Sequence, residues 1–330
     1  MKTYLVVLLA GLLFSTAFIS QSPPESPELK EAAELTERTV KLLHEGKADE
    51  ALPLAKRALQ IREKLLPPTD LRISISLNYL GSAYIGKGDY SAGAQTLDRL
   101  LKILEGRFGA EDVNLLPTLN RLTLLYNLNG NERKAEEMYQ RVLAIREKVF
   151  GADSVEVAQT SYDLGELYRK RGDFGRSLSN YKRSLLIYGR LSGMDTPEFE
   201  RVSKGFYCLH HQSEKPEPLA AFIEIRRQLD PKMSMILNLE KLESRAIKVI
   251  QPEYPPEARE RRLSGVVYLW IELDDEGNVA SATDMCQGPP YLSEAAVKAA
   301  MKSRFRASKI TVEGVPVKVK GIMSYKFHYR

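Results

Sequence analysis

The sequence repeats itself every 42 residues, and this period constrains the fold more than any single residue does. Gly46, Gly88, Gly130 and Gly172 stand 42 apart. Leu42, Tyr84, Tyr126 and Tyr168 keep the same interval, as do Arg57, Arg99, Arg141 and Arg183, and Ile61, Ile103, Ile145 and Ile187. Each unit sets two segments of helical apolar spacing around a short turn, Gly88-Asp89, Gly130-Asn131 or Gly172-Asp173. One such unit cannot bury its apolar face alone, so neighbours must stack. The first two-thirds of the chain therefore reads as a helical array, a form that binds other chains.

At 330 residues there is room for more than one folded unit. Apolar residues make up 43% and charged residues 28%, ordinary values for a globular protein. The net charge is +5, and residues from Arg245 onward hold 14 Lys/Arg against 10 Asp/Glu. That excess is spread through a domain rather than gathered in a stripe, so a nucleic-acid partner is not expected. There is no Gly-rich phosphate loop, nucleophile elbow or zinc-protease helix, and no enzymatic activity or cofactor is expected. Asp274-Asp275-Glu276 is followed by Gly277-Asn278 and reads as a solvated turn.

Residues 1–22 carry Lys2, then an uncharged, mostly apolar run from Thr3 to Gln21, ahead of the Pro-rich stretch 23–28. This is the form of an export signal, with small residues at Ser15-Thr16-Ala17 for a signal peptidase. An uncleaved membrane anchor is the alternative, and the mature N-terminus by mass spectrometry separates the two. No Cys lies there for lipid attachment. The two cysteines, Cys208 and Cys286, fall in different units; export permits a disulfide between them, and the sequence leaves the pairing open. Cys208-Leu209-His210-His211 is not expected to hold a metal, because adjacent histidines on a helix point to different sides.

First helices show Ile73, Leu77, Leu80 and Tyr84, then Leu115, Leu119, Leu122 and Tyr126. Small residues recur at close contacts: Gly81 and Gly165 on first helices, Gly93, Ala135 and Ser177 on second ones. Leu80-Gly81-Ser82-Ala83-Tyr84 and Leu164-Gly165-Glu166-Leu167-Tyr168, with Tyr139 and Tyr181 following, resemble the tetratricopeptide repeat. The long period and the Arg-Glu-Lys at 62–64 and 146–148 resemble its kinesin-light-chain variety. The resemblance covers about residues 29–230 and implies five helix pairs, the fifth, from Pro197 to Asp230, being a degenerate cap. Partners of such arrays bind along the first helices, where Arg72, Asn78, Asn120, Arg121 and Asp163 are candidates.

A linker is expected at 231–245 and a separate domain at 246–330, joined by few contacts. Gly265–Leu273 reads as a strand, 274–278 as its turn and Val279–Cys286 as the return strand. Ser293 is expected to cap a helix from Glu294 to about Ser303, and Val315–Tyr329 to form one long last strand. The expected fold is multidomain: an all-α solenoid and a small α+β sandwich. Gln251-Pro252-Glu253-Tyr254-Pro255, Gly265-Val266-Val267, Asp275–Val279, Ala295-Ala296, Arg304-Phe305 and Gly314–Val317 resemble the C-terminal domain of TonB proteins in type and order.

This resemblance implies protein contact in the periplasm or cell envelope. TonB domains grip an extended segment of an outer-membrane transporter by adding it as a strand to an open sheet edge. The positions that match are Gln251 in the entry motif and Met323, Ser324, Tyr325, Lys326 and Phe327 on the last strand. The expected function is an exported interaction module, holding transporter or other envelope-protein segments on that edge and a second partner on the repeats. A homodimer is compatible with it, and membrane contact is confined to an uncleaved N-terminal segment. The alternative is an energy transducer pulling from an inner-membrane anchor. Against the transducer stands the arm, a helical array where TonB proteins have a long Pro-rich tether.

Overall fold

The computed structural model describes residues 26–213, 215–229, 246–286, 288–306, 310–312, 315–317 and 320–329, with side chains described outside 307–320. The expected export signal, the linker at 231–245 and Gly314 lie outside the described residues.

Ten helices form five consecutive pairs: α1 (Pro27–His44) with α2 (Ala48–Leu65), α3 (Leu71–Gly86) with α4 (Tyr90–Phe108), α5 (Leu116–Leu128) with α6 (Glu132–Phe150), α7 (Val155–Lys170) with α8 (Phe174–Leu191), and α9 (Pro197–Ser213) with α10 (Glu217–Leu229). The repeated turn does two jobs. Its glycine takes a left-handed conformation, with φ of +73°, +78°, +68° and +78° at Gly46, Gly88, Gly130 and Gly172. The residue after it starts the next helix: Asp89, Asn131 and Asp173 each accept a backbone N–H three residues on, at 3.0, 3.2 and 3.1 Å. Lys47 stands at the equivalent place in the first pair and makes no side-chain cap.

Packing divides the chain into two compact units, 1–160 and 161–330. The first is filled by Leu77, Leu80, Leu97, Leu119, Leu122 and their neighbours, all buried. Its arginine column is a ladder: Arg99 reaches Glu63 at 2.5 Å and Arg141 reaches Glu105 at 2.5 Å, each 36 residues back. Arg57, at the N-terminal end, reaches Glu31 at 3.4 Å instead. These pairs are exposed or half-exposed, so each contributes at most about 1 kcal/mol.

In the second unit, tight helix approach depends on glycine. A Cβ on Gly165 would stand 2.6 Å from the ring of Tyr181, and one on Gly205 would stand 2.9 Å from the same ring. Tyr181 is completely buried, and its hydroxyl donates to Glu166. That carboxylate also pairs with the buried Arg169 at 2.8 Å.

The C-terminal part of this unit runs β1 (Ala246–Lys248), α11 (Pro256–Glu260), β2 (Gly265–Leu273), β3 (Val279–Asp284), α12 (Pro290–Ala300), β4 (Arg304–Phe305), β5 (Ile310–Val312), β6 (Val315–Val317) and β7 (Lys320–Phe327). β2 lies between β3 and β7, antiparallel to both, while β1 pairs with β4 and β5 with β6. Val267, Leu269, Ile271 and Leu273 alternate inward on β2, and with Met323, Tyr325 and Phe327 of β7 they share a core with Leu292, Ala296, Ala299 and Ala300 of α12. Gly277 supplies the positive φ of the β2–β3 turn, at +84°.

Three expectations are corrected. The last run is not one strand, since 315–317 pairs back on 310–312 before β7 begins. The return strand stops at Asp284. The α12 helix starts at Pro290, because Ser293 is drawn away from a capping role and donates its hydroxyl to Asp284.

Candidate partner-binding edge of the C-terminal sheet

Among the described residues β7 is an edge strand: the order β3-β2-β7 gives it one neighbour there, with Val267 opposite Tyr325, Tyr268 opposite Ser324 and Leu269 opposite Met323. The direction of its free backbone groups follows from one hydrogen bond. Met285 donates its N–H to the carbonyl of Tyr268 at 2.9 Å, so Tyr268 turns its main-chain groups toward β3. In an antiparallel ladder the residue opposite then turns its own groups away from the pair. Ser324 therefore offers its N–H and C=O to the far side, and by alternation so do Ile322 and Lys326. Met323, Tyr325 and Phe327 bond to β2.

Side chains divide in the same way. Met323, Tyr325 and Phe327 are 2–4% exposed and belong to the core, whereas Ser324 is half-buried and Lys326 exposed. Five of the six sequence-derived residues thus share one strand but split between two roles. Gln251 comes near them through its neighbour: Tyr325 donates its hydroxyl to the Ile250 carbonyl at 2.9 Å, and Ile250 donates its N–H to Ser303 Oγ at 3.0 Å. Burial raises the Tyr325 phenol above its ordinary range and keeps it a donor. Gln251 is exposed and lines a groove of about 630 Å³ between the entry segment and α12, together with Tyr254, Tyr291, Lys298 and Lys302. Tyr254 anchors that segment by donating its hydroxyl to the Leu263 carbonyl.

On the repeats, the candidate groove residues have different fates. Arg72 is held by Asp70 at 2.8 Å, at the cap of α3. Arg121 donates to Asn78 at 2.6 Å and to Ser82 at 2.9 Å, joining α5 to α3, and burial pushes its guanidinium down to about 10. Asn120 is exposed and Asp163 half-buried. Apolar side chains on these first helices remain exposed, among them Ile75 at 41% and Leu124 at 44%.

The surface that sequence reasoning missed belongs to α9. Cys208 and Cys286 form a disulfide with Cα atoms 5.4 Å apart. Beside it His211 stacks on Tyr268, ring centres 4.1 Å apart and planes within 15°, and Tyr207 packs on Trp270 at 5.8 Å. His210 turns instead to the Lys215 carbonyl, at 2.6 Å from Nδ1. Where few contacts were expected between the sheet and the repeats, α9 meets the sheet's outer face at Tyr268 and Trp270 and is bonded to Cys286. The available signal was the pair Tyr268 and Trp270, two aromatics on the face of β2 opposite its core residues.

A tetratricopeptide repeat family model matches residues 74–148 and 114–189, and another matches 42–70. The family model of the Gram-negative bacterial TonB protein C-terminal matches residues 250–329. The chain is a tetratricopeptide repeat array followed by a TonB C-terminal domain. Among solved structures, the nearly identical kinesin-light-chain TPR-like repeats from Podosopora anserina and a single-substitution variant of them are each 17% identical with a TM-score of 0.50. They cover 64% and 63% of this chain, and 100% and 98% of their own. This likeness concerns the fold of the repeat array. No curated protein matches the chain. Among the described residues no helix is long and apolar enough to cross a membrane. Tetratricopeptide repeats and TonB C-terminal domains are non-catalytic interaction modules, and together they support a protein-interaction role in the Gram-negative envelope.

Proposed function

We propose that the TonB C-terminal domain captures an extended segment of an outer-membrane transporter, or of another envelope protein, by strand addition on β7. The observation that carries this reading is the outward N–H and C=O of Ile322, Ser324 and Lys326 on a strand with a single neighbour. An edge strand whose alternate main-chain groups point away from its neighbour is a template for one more strand. In this reading Gln251, which follows the Ile250 carbonyl held by Tyr325, contacts a side chain of the added strand. The exposed Lys326 favours an acidic residue there.

The tetratricopeptide repeats provide the second docking surface, along first helices where Ile75 and Leu124 stay exposed and Arg121 is held by Asn78. Such a chain is an exported adaptor, periplasmic once its N-terminal segment is removed. Substitution Ser324→Pro or Lys326→Pro deletes an outward N–H without touching the β2 ladder. Each is expected to abolish capture of a transporter segment, measured by titration calorimetry, while the circular dichroism spectrum stays unchanged. Undiminished capture by both variants would reject the β7 edge and leave the repeat surface as the binding site.

A further inference from the structure

The covered face of the sheet rests on a position that the array repeats. Cys208 is the 42-residue equivalent of Val40, Ser82, Leu124 and Glu166, all on first helices. At Leu124 that position is 44% exposed; at Cys208 it is 1% exposed, because the sheet lies on it. Tyr207, Cys208 and His211 fall within one turn of α9 and meet Trp270, Cys286 and Tyr268 in turn. The C-terminal domain therefore occupies, within its own chain, the place on the last repeat that Leu124 leaves open to a partner on the third. A covalent bond and ring contacts are among the interactions that hold it there.

We propose that the Cys208–Cys286 disulfide is a redox-sensitive latch, and that its reduction by a dithiol lets the sheet leave α9 and uncovers Tyr207 and His211 on the repeat and Tyr268 and Trp270 on the domain. The route of reduction follows from exposure, since Cys208 is buried and Cys286 only half-buried. A thiolate of the dithiol attacks Sγ of Cys286; the S–S bond breaks, and its electron pair goes to Sγ of Cys208, which takes up a proton. The second thiol of the reductant then displaces Cys286 from the mixed disulfide. The protein gains two electrons and two protons, and the dithiol departs as its own disulfide. The ring contacts that remain no longer have a covalent bond to hold them in register, and the chain between α10 and β1 keeps the parted surfaces on one molecule. Release exposes Tyr207 and His211 on α9 and Tyr268 and Trp270 on the sheet, so the latch governs which of these surfaces a protein partner can engage.

The only tryptophan of the chain, Trp270, sits in this interface and reports on it directly. Acrylamide quenching of Trp270 fluorescence is measured in the full chain before and after dithiothreitol, with free thiols counted in parallel. Reduction is expected to raise the quenching constant by about twofold or more, as local opening exposes the ring. Far-UV circular dichroism should stay unchanged, and reoxidation should restore the shielded value. The variant Cys208→Ser/Cys286→Ser should show the high value without reductant, and Tyr207→Ala with the disulfide intact should remain nearer the low one. Two titrated thiols with unchanged quenching would overturn the proposal, because ring contacts alone would then hold the sheet. Loss of helical signal on reduction would overturn it too, since the bond would be a structural staple of α9 rather than a latch.

Discussion

Leu124 on α5 and Cys208 on α9 stand two periods apart, at the same place in their repeats, and have opposite surroundings. Leu124 is 44% exposed; Cys208 is 1% exposed and bonded to a residue 78 positions later in the chain. The first is left open, and the second is covered by a segment of its own chain. A repeat therefore specifies where a side chain points but not what it meets, and the last repeat of an array is free to take a ligand from its own chain.

The contrast can be broken most forcefully at the filled position. Removing the disulfide with Cys208→Ala/Cys286→Ala should cost about 2–4 kcal/mol, given the long loop it closes. In a denaturant melt the loss should appear in the transition of residues 161–330 and spare that of 1–160. Equal losses in both would mean that the two units do not unfold separately.

A smaller effect tests whether close approach, rather than cross-linking, sets the stability of the second unit. Gly165→Val places a Cβ about where the Tyr181 ring edge lies, 2.6 Å away, and overpacking of this kind costs about 1–3 kcal/mol. Calorimetry should show a lowered midpoint. The matching Gly81→Val meets the flexible end of Leu97 at 2.7 Å and should cost less. The reverse ranking would indicate that Tyr181 swings aside more readily than Leu97.

The smallest effect belongs to the open position. Leu124→Ala should change stability by less than about 0.5 kcal/mol, as surface substitutions do. If the first-helix surface binds a partner, the same change should weaken that binding measurably, and no change in affinity would remove Leu124 from the docking surface.

Period explains how much of this was legible in the sequence. The five pairs, their turns and the Arg99 and Arg141 contacts follow from residues that meet neighbours at a fixed separation, so spacing alone exposes them. β2 and its Asp274–Asn278 turn were equally readable, because alternation and turn chemistry are local. β7 as an edge was readable in outline, but not the parity that separates Ser324 from Met323, which depends on Met285 bonding to Tyr268. An unbroken strand over Val315–Tyr329 is what alternation suggests, because nothing local marks the pairing of β6 back on β5. Ser293 looked like a cap until Asp284, nine residues earlier, competed for its hydroxyl. The face of α9 was the least visible. Tyr207 and His211 fit an ordinary amphipathic helix, and no local pattern names a sheet about 60 residues downstream as their partner.

The disulfide also makes a closed covalent ring of everything between Cys208 and Cys286: α10, residues 231–245, β1, α11, β2 and β3. A single backbone break anywhere in that ring opens it without dividing the molecule. An envelope protease that cuts the segment between the repeats and the TonB C-terminal domain would leave both parts joined through sulfur, with every helix pair and the β7 edge still on one molecule.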